Sequence, residues 1–130
     1  MTDESMTIRQ MCDAYDVTPR TLRFYEAKEL LFPVREGSKR LFTKRDRVRL
    51  TLILRAKRFG FSLEDIRQLL DLYDRDGSNE AQYVQTYQLA EARLAVMEAQ
   101  RDELAVAIGE LKHEMADAAR VIAGFQTAAA

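Results

Sequence analysis

Tyr83, Tyr87, Ala90, Leu94, Met97, Arg101, Leu104, Ile108, Leu111, Met115, Ala118, Ile122 and Phe125 recur at alternating intervals of four and three residues. That is an a/d heptad repeat sustained for about six heptads, and Arg101 is its single charged member. One helix cannot bury such a stripe against itself. A second surface is required, and a second copy of the chain is the simplest one. Tyr83 to Met115 along this seam are therefore the expected dimerisation residues. The stretch 81–112 alone would extend roughly 50 Å, at about 1.5 Å per residue. Gly109 and Gly124 weaken the far end, so the helix is expected to lose support beyond Met115. Arg101 lies near the middle of the seam. Either it marks the dyad of an antiparallel pair, neutralised by Glu98 or Asp102 of the partner subunit, or its stem snorkels along a shallow edge.

The rest of the chain is built on other lines. Net charge is −1 over 130 residues, but residues 1–73 hold 15 Lys/Arg against 11 Asp/Glu, while residues 74–130 hold 5 against 10. Within residues 35–58 there are ten basic side chains and two acidic ones, Glu36 and Asp46. A cationic first half joined to an acidic second half points to a polyanion met by the first half only. With two prolines and five glycines, an architecture of strands and turns is poorly supported. The expectation is an all-α chain with a small β wing: a module over 1–73, then a linker and coil over 74–130.

Thr18-Pro19-Arg20-Thr21-Leu22-Arg23-Phe24-Tyr25-Glu26 carries the sharpest signal in the first half. The Thr18 hydroxyl can cap a helix, and Pro19 suits the first turn, where its missing N–H is not needed. Leu22 and Tyr25 fall on one side; Arg20, Arg23 and Phe24 project to the other. Two guanidiniums, an aromatic ring and the Thr21 hydroxyl on a surface helix suit phosphates and base edges in a major groove. A solvated basic face with one stray aromatic is the competing account.

Around it the chain reads in order. Thr7-Ile8-Arg9-Gln10 has the form of a capping box, and Ile8, Met11, Cys12 and Tyr15 make an inward face. Cys12 reads as a small core residue. Asp16-Val17 turns the chain into the Thr18 helix, giving a helix-turn-helix whose second helix enters a groove. That helix is expected to end over 28–32, with Pro33 blocking its continuation. Residues 34–42 read as a hairpin turning at Gly37-Ser38, whose Arg35, Lys39 and Arg40 suit a phosphate backbone. Thr43 caps a third helix closed by Gly60, and Ser62 caps a fourth. Lys57 and Arg58, before the turn between them, form a second phosphate-contacting corner. Residues 74–78 read as a linker.

Together these motifs resemble the MerR family of transcription regulators: residues 18–26, Leu30-Leu31, Pro33, Arg40-Leu41-Phe42-Thr43, and Gly60-Phe61-Ser62-Leu63 with Ile66 and Leu69. The resemblance covers about residues 6–73. It implies a winged helix-turn-helix on a homodimer, an antiparallel coil, and binding to a pseudo-palindromic promoter that is bent and untwisted so that RNA polymerase can engage it. The heptads themselves do not settle the coil's direction. By the likeness, Arg20, Thr21, Arg23 and Tyr25 lie in the major groove, and Thr18 and Phe24 are counted with them. Arg40 and Arg35 contact backbone from the wing beside Lys39, and Lys57 does so from the second corner. Two departures stand out. Phe24-Tyr25 replaces the frequent Tyr-Tyr, and the short wing reads Ser38-Lys39-Arg40 in place of Gly-Tyr before the arginine.

Residues 55–74 and the short tail look similar to a cysteine-poor branch of that family, which includes regulators of leucine, isovalerate and acyl-CoA catabolism. That likeness implies a small organic or acyl-CoA effector, with Tyr73, Tyr83 and Tyr87 as candidates to line its site; packing of the coil's first turns is the plainer account of those rings. With one cysteine and one histidine in the chain, a thiolate metal site, a redox cluster and a disulfide framework all lack ligands, and no cofactor is expected. His113 reads as a solvated coil residue. No glycine-rich phosphate loop appears and the lone histidine has no nucleophilic companion, so an enzyme is not expected. The opening residues have no basic and apolar leader pattern, and no apolar run could span a bilayer. A cytoplasmic protein is expected. The alternative function is a non-catalytic coiled-coil adaptor whose basic module binds an acidic protein.

Overall fold

The computed structural model describes residues 5–74 and 80–129. Its elements run β1 (Met6–Thr7), α1 (Ile8–Tyr15), α2 (Pro19–Ala27), β2 (Val34–Glu36), β3 (Lys39–Phe42), α3 (Lys44–Arg58), α4 (Leu63–Asp74) and α5 (Glu80–Ala129). The helix starts follow from local chemistry. Thr7 Oγ1 accepts from the Gln10 N–H at 3.2 Å, and the Gln10 side chain accepts from the Thr7 N–H at 2.9 Å, a complete capping box. Thr18, Thr43 and Ser62 each accept the N–H of the residue three positions on, at 3.1, 3.2 and 3.1 Å.

The stops also have identifiable causes. Gly60 adopts a left-handed φ of 81°. Its N–H donates to the Lys57 carbonyl at 2.9 Å and the Phe61 N–H to the Ala56 carbonyl at 3.1 Å. This is the Schellman pattern that satisfies the last carbonyls of α3. The end of α2 corrects the sequence reading. The helix stops at Ala27, well short of Pro33, because Glu29 takes a φ of 60°. Glu29 and Leu30 then donate back to the Glu26 and Tyr25 carbonyls, each at 2.9 Å. A non-glycine residue does the work of a glycine cap here.

Three strands form one antiparallel sheet in the order β1-β3-β2. The β2–β3 hairpin turns through Gly37, whose φ is 62°, and pairs Val34 with Leu41, Arg35 with Arg40 and Glu36 with Lys39. The two-residue strand β1, pairing Met6 with Phe42 and Thr7 with Leu41, was not expected from sequence. It ties the start of the chain to the wing.

Met11, Leu22, Leu30, Leu31, Phe42, Leu50 and Ile53 are fully buried, and Tyr25, Ala56, Ile66 and Leu70 complete the cluster. Each such aliphatic side chain contributes about 2 kcal/mol by leaving water. Cys12 packs against this cluster as expected. Burial raises its thiol pKa above the ordinary value and Asp13 adds to this, with Arg23 opposing.

Asp74, assigned from sequence to a linker, is the last residue of α4. Its carboxylate pairs with Arg45 at 2.8 Å and with Arg49. The remaining linker positions, 75–78, lie outside the described residues. The chain divides into two units, Met1–Leu89 and Ala90–Ala130, and α5 is a 50-residue helix. It continues past Met115, correcting the expected weakening. Gly109 and Gly124 sit within it with open space where a side chain would project. Each glycine costs about 1 kcal/mol against alanine, too little to break a helix of this length.

Candidate nucleic-acid interface

α2 presents Arg20 and Arg23 as exposed cations and Phe24 as a ring 44% exposed, while Leu22 and Tyr25 turn inward. This division is the one that helical spacing dictates. Thr21 is half-buried, and its hydroxyl lies 2.9 Å from that of Thr18. Arg20, Thr21, Phe24 and Tyr25 meet Lys57, Phe61, Leu63 and Ile66 around a groove of about 410 Å³. The recognition helix and the α3–α4 corner, far apart in sequence, are thus brought together. Lys57 lines this groove together with the apolar side chains of Phe61, Leu63 and Ile66.

Tyr25 differs from its expected role in the major groove. Its ring is 3% exposed and belongs to the core cluster, so it reaches the groove only as part of the floor. Phe24 is the aromatic that faces out. Its ring centroid lies 5.8 Å from that of Tyr25, and the Lys28 ammonium sits 5.7 Å from it. The Lys28 contact was not read from sequence; the (i, i+4) spacing on α2 was the available signal.

The wing cations are partly engaged. Arg40 donates from Nε to Glu26 Oε1 at 2.6 Å, and Arg35 approaches the other carboxylate oxygen at 3.6 Å. Lys39, on the turn side of β3, is exposed. Glu26 was quoted within the helix motif but not singled out, although two arginines facing each other across a hairpin call for a counter-ion.

The basic block over 35–58 is less uniform than its composition suggests. Arg49 is 3% exposed. It donates to the Leu30 carbonyl, pairs with Asp74 and lies over the Phe32 ring at 5.2 Å. Arg45 shares Asp74 with it. Asp46 is also buried. It caps the end of the α2–β2 loop by accepting the Phe32 N–H at 3.0 Å. Arg49 and Asp46 are buried within the module and are not available to a polyanion, whereas the Arg45 side chain is 63% exposed.

On α5 the seam residues Tyr83, Tyr87, Leu94, Met97, Leu104, Ile108, Leu111 and Met115 are all exposed within the chain, as are Ile122 and Phe125. Arg101 pairs with its own Asp102 at 3.1 Å. Tyr73, Tyr83 and Tyr87 keep rings more than half exposed. They do not line the shallow hollow beside α4, which is formed by Gln68, Asp71, Leu72, Gln85, Gln88 and Leu89. His113 pairs with Asp117 at 3.5 Å on the coil surface. Among the described residues no group of three His, Cys, Asp or Glu side chains could hold a metal ion, and no helix is long and apolar enough to cross a membrane.

A family model described as "MerR HTH family regulatory protein" matches residues 6–73, and one described as "MerR, DNA binding" matches residues 47–113. The mercuric resistance operon regulatory protein of Pseudomonas fluorescens is 36% identical over 111 residues, covering 80% of this chain and 77% of that protein. The HTH-type transcriptional regulator ZntR of Escherichia coli K12 is 43% identical over 67 residues. That match covers 50% of this chain and 48% of ZntR, so it spans about half of that relative. Among solved structures, HiNmlR, a MerR family regulator lacking the sensor domain and bound to promoter DNA, superposes with a TM-score of 0.62. It has 25% identity, covering 86% of this chain and 88% of that one. With an exposed cationic face on the second helix of a winged helix-turn-helix, and matches of this extent, the chain belongs to the MerR family of DNA-binding transcription regulators.

Proposed function

We propose that two copies of this chain, joined along α5, bind a pseudo-palindromic promoter through residues 1–73 and distort it to control transcription. The observation that carries this reading is the unpartnered apolar seam of α5, with Leu104 61%, Leu111 58% and Phe125 71% exposed. A seam of this length needs an equal and complementary stripe, and an identical chain supplies one. Two-fold pairing places two α2 helices on half-sites about one helical turn, roughly 34 Å, apart. Arg20, Thr21, Arg23 and Phe24 face base edges and phosphates there. Lys57 and the wing's Arg35, Lys39 and Arg40 contact the flanking backbone. An antiparallel coil sets Arg101 near the dyad, opposite Glu98 or Asp102 of the partner subunit. RNA polymerase is reached indirectly, through the altered promoter.

The effector in this reading is a small organic molecule or acyl-CoA thioester, and the controlled genes act in acyl-CoA or branched-chain amino-acid catabolism. Its support is the likeness of residues 55–74 to the cysteine-poor branch, together with the exposed rings of Tyr73, Tyr83 and Tyr87. Calorimetry with branched-chain acyl-CoAs, on the native chain and on Tyr87→Ala, tests this part separately. No heat from any of them removes it.

The test of the main reading combines sedimentation with footprinting on the DNA upstream of the gene. Expected are a dimer at micromolar concentration, a two-fold protection pattern, and affinity that falls steeply with salt. A monomer, or equal affinity for scrambled duplex, overturns it; equal affinity would favour an adaptor of acidic proteins.

A further inference from the structure

We infer that Glu26 is a positioning residue for DNA binding: it locks the wing's arginines to the recognition helix, so that helix and wing meet the duplex in one fixed register. This rests on the DNA-binding reading of α2 and the wing given above.

The hairpin places Arg35 and Arg40 directly opposite each other. Like charges so placed destabilise a strand pair, and strands of three and four residues in this small sheet have little stability to spare. Glu26 resolves the conflict from outside the sheet: its Oε1 accepts from Arg40 Nε at 2.6 Å while Oε2 stands 3.6 Å from Arg35 Nε. One carboxylate on the last full turn of α2 therefore neutralises part of a pair of charges on the wing.

The geometry at Arg40 bears on phosphate recognition. A guanidinium carries five N–H donors in a rigid plane, and the bond to Glu26 uses the one on Nε. The four terminal N–H groups remain available for a phosphate. The Arg40 side chain is 21% exposed, that of Glu26 22% and that of Arg35 51%. Arg40 is thus half sunk against α2 with its plane fixed before DNA arrives, and the entropy of fixing a long side chain is spent on folding instead of on binding. Arg20 and Arg23 lie one to two turns earlier on the same helix. Holding the wing to Glu26 sets the spacing between the helix cations and the wing cations, and that spacing must match successive phosphates.

A lysine at position 40 could not serve, because one ammonium cannot hold Glu26 through one edge of a plane and a phosphate through the other. The arrangement thereby separates positioning from simple charge, which makes it testable. Alternatively, Glu26 could compete with phosphate for the arginines, and its removal would then strengthen binding.

The experiment uses the 130-residue chain and a duplex selected by it from a random pool, with affinity measured across a salt series. The native chain's preference for that duplex over random DNA establishes the underlying reading independently. Glu26→Gln keeps the side-chain shape and removes its charge. It is expected to bind roughly tenfold more weakly, to flatten the salt slope by about one unit, and to lose hydroxyl-radical protection at the outer flanks of the site only. Arg40→Ala should give the same loss, and the double variant should be no worse than either single one. Arg40→Lys, which keeps the charge and leaves Glu26 in place, should match Glu26→Gln and serves if that variant fails to fold. Binding by Glu26→Gln as tight as or tighter than the native chain overturns the inference. So do additive losses in the double variant, or native affinity in Arg40→Lys.

Discussion

Arg49, with 3% of its surface exposed, donates from Nε to the carbonyl of Leu30 at 2.8 Å. The same guanidinium pairs with Asp74 and covers the Phe32 ring. One side chain of α3 therefore fastens the exit of the recognition helix to the end of α4. Arg49→Leu is expected to destabilise the fold by about 3 kcal/mol, because a buried carbonyl loses its donor and Asp74 loses a partner. Arg49→Lys should recover only part of this, since a point charge cannot satisfy both acceptors. Urea denaturation of the two variants against the native chain measures the difference.

Asp46 gives the chain an unusual acid response. Burial raises its pKa above the ordinary 3.8 and the nearby charge of Glu26 adds to this, while the Phe32 N–H, Arg49 and Arg45 oppose. The folded state then holds the proton more tightly than the unfolded state does. In the window from 3.8 up to the raised value, this residue's contribution to stability falls as pH rises. Asp46→Asn should therefore gain stability relative to the native chain as pH rises above 3.8. Paired denaturation series over that range would show the trend, and a gain in the opposite direction would remove Asp46 as its source.

The groove on α2 separates affinity from discrimination. Arg20→Ala is expected to cost about 1–3 kcal/mol and to relax preference at one base position. Lys57→Ala should weaken all duplexes alike and lower the salt slope by about one unit. Phe24→Ala should reduce discrimination more than overall affinity, because apolar groups on the major-groove face are confined to the thymine methyl. Competition binding with single-base variants of the selected duplex distinguishes the three.

Substitutions on α5 test association without touching the DNA-binding module. Leu104→Asp places a charge at a seam position 61% exposed in the chain alone, and is expected to raise the dimer dissociation constant by roughly a hundredfold. Arg101→Leu should strengthen association while loosening register. Sedimentation equilibrium reads the first effect, and cysteine-pair crosslinking along the seam reads the second. A weaker Arg101→Leu dimer would show that the charge supports the pairing.

How much of this was visible in the amino-acid order depends on range. Thr7 with Gln10, Thr18 with Pro19, and Gly60 were legible because caps act over three or four residues. The seam was legible because its period is. Arg49 and Asp74 were not, since their partnership spans 25 residues and composition counted both by charge alone. Glu29 concealed a helix end by taking a conformation that usually announces itself as glycine. The strand β1 hid beneath the capping box that follows it. At the site, the outward cations of α2 could be read directly, whereas Glu26's hold on the wing needed the hairpin register.

Among the described residues nothing covers the apolar stripe of α5, so under the pairing proposed above the state of the coil would follow the number of molecules in the cell. Soon after synthesis, when copies are few, the greasy edge is open to proteases and to promiscuous sticking. On that proposal, mass action would hide it as copies accumulate, and the abundance of the protein would set a threshold for its own survival.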